Sequence, residues 1–292
     1  MNQNESYGKR MWRVWSPLLI KFGISYVVYL AMTSIFMMLY LIQENALDTY
    51  AMNEILADQG KMQELMTILM EQLYNYAVPI EGLAAGITIP LMAFFMYRDR
   101  KREKEQGAMP VKKAGLFNYV WVILISAALC VGLNNLILLG NLPAASDSYG
   151  EALEMFYNPP FAVQILCLGI LSPVCEELVY RGLMFQRLRQ YGSFVYAALY
   201  STVIFAVGHG NMVQMLYGFI MGMVFAYMYE RYGSIAAPIV GHVTANIFSV
   251  IGTQFLWFDW MMEDVMRVGV VTVLCAAAAS SAYVMMQRAK VE

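Results

Sequence analysis

Charge is scarce here: Asp, Glu, Lys and Arg supply 14% of the 292 residues against 60% apolar ones, and mean hydropathy is +0.52. A soluble globular domain carries roughly 25% charged residues, so the composition excludes one and indicates a polytopic membrane protein. A basic excess is lacking too, with a net charge of −2 and a pI of 5.8. That excludes nucleic acid, which needs a basic surface to neutralise its phosphates. The four cysteines, Cys130, Cys167, Cys175 and Cys275, lie in apolar segments without a short metal-type spacing, which excludes a disulfide-stapled ectodomain. They read as small packing residues. Cys175 adjoins Glu176, but thiols in apolar surroundings are poor nucleophiles. Repeats at a 20–50 residue period and low-complexity segments are absent. Histidine is scarcest of all: His209 and His242 are the only two, and each sits in a small polar island inside apolar sequence. A titratable side chain at membrane depth must find partners or water, which makes it a functional-site hypothesis by default.

A span needs about 20 mostly apolar residues, and eight candidates follow, at about 17–42, 75–97, 116–139, 161–186, 194–209, 212–229, 235–257 and 265–287. The first lies behind Lys9, Arg10 and Arg13 like a secretory signal, but at about 26 residues it exceeds the roughly 7–15 of a signal core, and no small-x-small site follows. It is expected to stay as an anchor. The fifth and sixth are short, and Gly208-His209-Gly210-Asn211 between them is too brief for a true loop, so a tight hairpin or a broken pair lining a cavity is expected. The expected architecture is all-α: about eight transmembrane helices in one integral-membrane domain over 17–292, with a cytoplasmic tail at 1–16.

Lys and Arg gather on the cytoplasmic side of such proteins. Here they segregate into alternate connections: the first tail, the run Arg98 to Lys113, the region of Arg181, Arg187 and Arg189, Arg231, and the end with Arg288 and Lys290. The opposite side holds the acidic stretch Glu44 to Glu71, the segment Asp147 to Glu154, and Asp259, Glu263 and Asp264, with Arg267 out of place. Both termini are therefore expected in the cytoplasm, with the chain in the cytoplasmic membrane if its bearer is bacterial. The first extracytoplasmic loop carries Leu56, Met62, Leu65, Met66, Leu69 and Met70 among acids, the pattern of an amphipathic helix on the membrane or of an ordinary helical connector. The basic run is expected to be solvated, as a topology signal or a patch for membrane lipids.

Three polar islands carry the chemistry. In Glu176-Glu177-Leu178-Val179-Tyr180-Arg181, Glu177 and Arg181 are one turn apart in the favoured order for an ion pair. Glu176 points about 100° away, as the carboxylate left free to accept a proton. All three charges could instead form a structural network, and Arg181 could snorkel toward the interface. Phe205-x-x-x-His209 shares a helical face, so the Phe205 ring can cover the imidazole, and the flanking glycines leave room beside it. His242-x-x-x-Asn246 aims two hydrogen-bonding groups at one cavity, where they could hold an oxyanion or merely bridge helices. Pro173 and Pro238, each one turn ahead of a polar face, are expected to free a carbonyl and bend their helices. Gly218-x-x-x-Gly222 reads as close helix packing. Straight helices would set Glu176, His209 and His242 at different depths, so tilt or a broken helix has to unite them.

These islands, in this order, resemble the CPBP family: intramembrane CAAX-processing endopeptidases of the Ras-converting-enzyme type and bacterial relatives that include bacteriocin-processing and immunity proteins. The resemblance covers about residues 161–257 and implies an eight-helix fold whose polar residues meet in an intramembrane cavity. It also implies roles: Glu176 and His209 would activate a water that attacks a peptide carbonyl, His242 and Asn246 would hold the oxyanion, and Glu177 and Arg181, with Tyr180 and Phe205 in support, would orient the site. The implied substrate is a membrane-associated peptide or protein, lipidated or not. No cofactor is favoured. Zn²⁺ on Glu176, His209 and His242 is the alternative, and no His-Glu-x-x-His motif speaks for it. Two other classes compete. Buried Glu, His and Arg also build proton-coupled transporters, though the internal repeats usual there are missing. A membrane scaffold or immunity protein could keep the fold without cleaving anything.

Overall fold

A computed structural model describes residues 6–44, 49–109 and 112–289. It is 87% helical with no strand among the described residues. The helices are α1 (Tyr7–Gln43), α2 (Thr49–Ala57), α3 (Gln59–Asn75), α4 (Ala77–Glu105), α5 (Tyr119–Leu139), α6 (Asp147–Tyr157), α7 (Phe161–Arg189), α8 (Phe194–Val207), α9 (Met212–Tyr232), α10 (Ala236–Gln254), α11 (Trp257–Met262) and α12 (Val265–Arg288). Seven of these, α1, α4, α5, α7, α9, α10 and α12, are long and apolar enough to cross a bilayer. The protein is thus an all-α, multi-pass integral membrane protein. The stretch 7–16, expected as tail, is helical and continuous with the first span. Lys290 lies outside the described residues.

The eighth apolar helix, α8, has 14 residues, about 21 Å at 1.5 Å per residue, too little to cross. It folds back on α9 through a turn at Gly208–Asn211, where Gly210 takes the left-handed φ of +77° that glycine tolerates without strain. The side chain of Asn211 then caps α9 by accepting from the Gln214 amide. The short helix ends at the edge of a cavity, where His209 meets Glu176, His242 and Asn246.

Two packing centres hold the bundle. In one, α1, α4, α7 and α8 meet through Val14, Leu18, Met92, Leu183, Met184, Phe185 and Ala198. In the other, α5, α9, α10 and α12 meet through Val122, Met221, Phe225, Met228, Ala245 and Ala282. The acidic stretch after α1 forms two helices where one was expected. Leu65 and Leu69 of α3 turn inward to Tyr40 and Phe36 of α1, so this connector is packed on the first span. Asp58 caps α3, accepting from the Gly60 amide at 2.8 Å and the Lys61 amide at 3.1 Å.

The basic run is tied down at its acidic members. Arg187 Nε donates to Asp99 Oδ2 at 2.6 Å, Gln190 Nε2 donates to Glu103 Oε1 at 2.6 Å, and Arg189 meets Glu230 at 2.7 Å. These contacts bind the ends of α4, α7 and α9 together. Arg267, the misplaced cation, is neutralised locally by Glu263 at 3.5 Å and lies over the Trp260 ring at 4.2 Å. The cysteines Cys130, Cys167 and Cys175 are buried and unbridged.

Candidate active site

Helix α7 positions the first island, and its local geometry departs from an ordinary α-helix. Residues 165–171 and 178–185 are π-helical turns, with α-helical Ser172–Glu177 between them; such turns recur at functional sites. Pro173 explains part of this. In a π-helical turn the carbonyl of Leu168 would receive the N–H of residue 173, which proline lacks. Asn246 takes that place, donating from Nδ2 to the Leu168 carbonyl at 2.9 Å. The backbone defect in α7 thereby docks α10 at its polar turn. Pro238 does nothing comparable. It is the third residue of α10, within the first turn, where amides have no helical partner anyway, so the bend expected there does not arise.

Glu177 and Arg181 are both 0% exposed, and Arg181 Nη1 donates to Glu177 Oε1 at 2.9 Å. Arg181 does not snorkel. Its Nη2 donates to the Gly222 carbonyl at 3.0 Å, and its guanidinium lies over the rings of Phe205 at 4.5 Å and Phe225 at 5.7 Å. His242 completes the buried group, donating from Nδ1 to the same Glu177 oxygen at 2.8 Å. Its ring stacks on Phe225 at 4.8 Å.

The other nitrogen of His242 turns toward Glu176, with Nε2 3.7 Å from Glu176 Oε2. Glu176 is half-buried, and its second oxygen accepts from the Ser172 hydroxyl at 3.3 Å, one turn earlier. His209 stands apart from both. Its Nδ1 donates to the Phe205 carbonyl at 2.9 Å, which leaves Nε2 as a proton acceptor. Phe205 does more than cover His209, because its ring meets His209 at 4.8 Å, His242 at 5.8 Å and Tyr180 at 5.2 Å edge-on. It is a hub that fixes both imidazoles and the Arg181 guanidinium.

Glu176, His209, His242 and Asn246 line one cavity of about 200 Å³. The helix α6 roofs it with Tyr149, Leu153, Phe156 and Tyr157, and Tyr217 and Met221 of α9 and Ser249 of α10 extend its walls. The Gly218 and Gly222 pair serves this arrangement. A Cβ at Gly222 would lie 2.7 Å from Arg181 Nη2 and 2.8 Å from Thr202 Cγ2, and one at Gly218 would lie 3.4 Å from His209 Cε1. These glycines make room for site side chains, beyond the helix contact their spacing implies.

Among the described residues no three His, Cys, Asp or Glu side chains converge closely enough to hold an ion. Glu176, His209 and His242 as arranged therefore do not form a Zn²⁺ ligand set.

Sequence reasoning passed over two charged residues in the spans. Lys21 of α1 pairs with Glu81 of α4 at 3.2 Å, and Ser25 Oγ donates to the other Glu81 oxygen at 3.3 Å. A single charge inside a long apolar run does not lower its average enough to draw notice; the rule that intramembrane charges mark function would have found both. Ser172 and Phe225 were also missed, being common residue types whose role rests on tertiary contact.

Comparison with known proteins agrees with the motifs. Residues 158–248 match the sequence model of the family described as type II CAAX prenyl endopeptidase Rce1-like. It is similar to "Putative membrane peptidase YdiL" of Bacillus subtilis, 35% identical over 106 residues, which are 36% of this chain and 43% of that protein. It is also similar to "Membrane-embedded CAAX protease MroQ" of Staphylococcus aureus, 31% identical over 93 residues, 30% of this chain and 38% of the other. The similarity thus spans less than half the length of these relatives. No solved structure matches the chain significantly.

Proposed function

We propose that this protein is an intramembrane endopeptidase that hydrolyses a peptide bond of a membrane-associated peptide or protein, with both termini in the cytoplasm. The observation that carries the reading is the single cavity on which Glu176, His209, His242 and Asn246 converge. Glu176 takes a proton from a water held between its carboxylate and His209 Nε2, and the water oxygen attacks the substrate carbonyl carbon. His209 suits this role because its Nδ1–H is spent on the Phe205 carbonyl, which fixes the tautomer with Nε2 as acceptor.

As the carbonyl becomes an oxyanion it needs donors. Asn246 spends one N–H on Leu168 and keeps the second for the cavity. His242 donates from Nδ1 to Glu177, so it can also donate from Nε2 into the cavity only when both ring nitrogens carry a proton. When the C–N bond breaks, Glu176 returns its proton to the leaving amine, and the free carboxylate is restored.

The test uses purified full-length protein in nanodiscs and a library of membrane peptides, prenylated Cys-a-a-X peptides among them. Cleavage by wild type and its loss in Glu176→Ala are expected, with no effect of a chelator. Cleavage that survives Glu176→Ala would overturn the mechanism, and loss on chelation restored by Zn²⁺ would replace it with a metal-dependent one. If nothing is cleaved while liposomes show proton-coupled uptake, the protein is a carrier.

A further inference from the structure

Direct contacts sort the helix ends into two sides. On one, Arg187 at the end of α7 binds Asp99 near the end of α4 and the Arg13 carbonyl near the start of α1. Tyr232 at the end of α9 donates to the Asn118 carbonyl just before α5 at 2.7 Å, and Arg231 donates to the Gln287 carbonyl of α12 at 2.6 Å. This is the basic side. On the other, Asn158 Nδ2 donates to Asn75 Oδ1 at 3.2 Å, the Tyr74 hydroxyl donates to the Glu151 carbonyl at 3.4 Å, and Phe161 at the start of α7 meets the ring of Phe255 beyond α10 at 5.8 Å. The connections on this second side, 44–76, 140–160 and 255–264, hold Lys61 as their single basic residue among many acids.

The cavity belongs to the second side. Beyond the catalytic group its walls are the last turns of α5 and α10, with Asn134 and Ser249, the first turns of α9, with Gln214, and the helix α6. The Tyr157 hydroxyl at the end of α6 lies 3.3 Å from Ser249 Oγ. Leu153 and Phe156 of α6 line the cavity, while Ser148, Glu151 and Glu154 on its other face are exposed. One helix layer thus stands between the cavity and the exterior. Toward the basic side the way is closed. Every residue of α7 from Leu178 to Phe185 is buried, and Phe225 and Met228 of α9 are 1% and 0% exposed. Side chains packed at interior density leave no path there for a peptide.

We propose that the substrate reaches Glu176 from the extracytoplasmic side, past α6, so that the scissile bond belongs to a polypeptide segment already carried into or across the outer half of the membrane and not to a cytoplasmic tail. The proposal rests on the proteolytic reading for its reaction and on the segregation of Lys and Arg for its sidedness, since the basic side is the cytoplasmic one. An entering segment brings peptide N–H and C=O groups that are costly to bury without partners. Asn134, Gln214 and Ser249 give the way in from α6 polar walls that can supply them. The roof ends at Tyr157, just ahead of the segment 158–248 that matches the family model, so this route does not follow from that match.

The route can be read without a substrate. A small charged methanethiosulfonate that does not cross bilayers is added to spheroplasts of a bacterial expression host and to inverted vesicles of the same host, both carrying the full chain, and its adduct is read as a mass shift. Ser249→Cys, which exchanges a single atom, reports on the cavity. Ser148→Cys reports on the outer face of α6 and Gln106→Cys on the basic side, and wild type gives the blank for the native cysteines. Ser249→Cys and Ser148→Cys are expected to be modified in spheroplasts alone, and Gln106→Cys in inverted vesicles alone. Modification of Ser249→Cys in inverted vesicles, or from neither side, overturns the proposal. In the second arm, library peptides coupled to dextran, which holds them on the side to which they are added, are offered to both preparations with Glu176→Ala as the blank. Cleavage is expected in spheroplasts and its loss in inverted vesicles. Labelling as expected with no cleavage on either side refutes the protease reading and leaves the entry route standing. Cleavage confined to inverted vesicles does the reverse.

Discussion

Substituting Arg181 by methionine should be among the most damaging single changes in the bundle. Arg181 and Glu177 are both 0% exposed, so neither charge has water to fall back on. The change removes the 2.9 Å bond to Glu177, the 3.0 Å bond to the Gly222 carbonyl and the contact with the Phe205 ring at 4.5 Å. What remains on Glu177 is the His242 Nδ1–H at 2.8 Å, because Glu177 Oε2 already lacks a partner. Breaking a buried ion pair from one side costs about 3–5 kcal/mol, or more than about a hundredfold in the unfolding equilibrium.

The double variant Arg181→Met/Glu177→Gln should cost far less than the sum of its parts, since neutral replacement of a whole buried pair is often tolerated. The assay is reversible unfolding in mixed micelles with increasing dodecyl sulfate, followed by circular dichroism and arranged as a double-mutant cycle. A loss below about 1 kcal/mol in Arg181→Met, where about 3–5 is expected for a buried pair, would refute the reasoning. So would strict additivity in the double variant, because either result means that the two charges are not the mutually dependent buried pair described above.

Glu176→Gln should lower peptide cleavage by about 10²–10⁴ with its unfolding midpoint unchanged; His209→Ala should abolish cleavage, and His242→Gln, which keeps a donor, should retain a measurable fraction. Gly222→Ala puts a Cβ 2.7 Å from Arg181 Nη2 and 2.8 Å from Thr202 Cγ2, and should lose about 1–3 kcal/mol in the same micelle titration through overpacking. Pro173→Ala restores an N–H that competes for the Leu168 carbonyl now held by Asn246; kcat should fall while stability holds, and a rise in kcat would count against the role of Asn246. Outside the spans, backbone amides of Lys61 and Gly60 hold the Asp58 carboxyl below its ordinary range. Its capping contribution is therefore complete above that range and lost as pH falls through the lowered value. Amide-exchange protection at Gly60 and Lys61 should follow that fall, and Asp58→Ala should be unprotected at every pH.

What was legible beforehand followed from short-range rules. Long apolar runs disclose membrane helices because the bilayer imposes their length, and the one-turn separation of Glu177 and Arg181 discloses their pairing because helix geometry alone decides it. The hydrogen bond from His242 to Glu177 joins residues 65 apart in sequence, and only the packing of α10 on α7 creates it. The cavity that His209 shares with the other islands depended likewise on where a 14-residue helix ends. Pro173 shows the limit most clearly. Its missing N–H is a local fact, readable at once, but its consequence appears 73 positions later, where Asn246 takes the Leu168 carbonyl that the proline leaves free. Lys21 and Glu81 were equally visible as letters and equally silent as a pair, since only the packing of α1 on α4 brings them together. A local defect or a lone charge at membrane depth therefore states a demand that some distant residue must meet. Looking for the residue that meets it is the step by which sequence reading can extend from helices to sites.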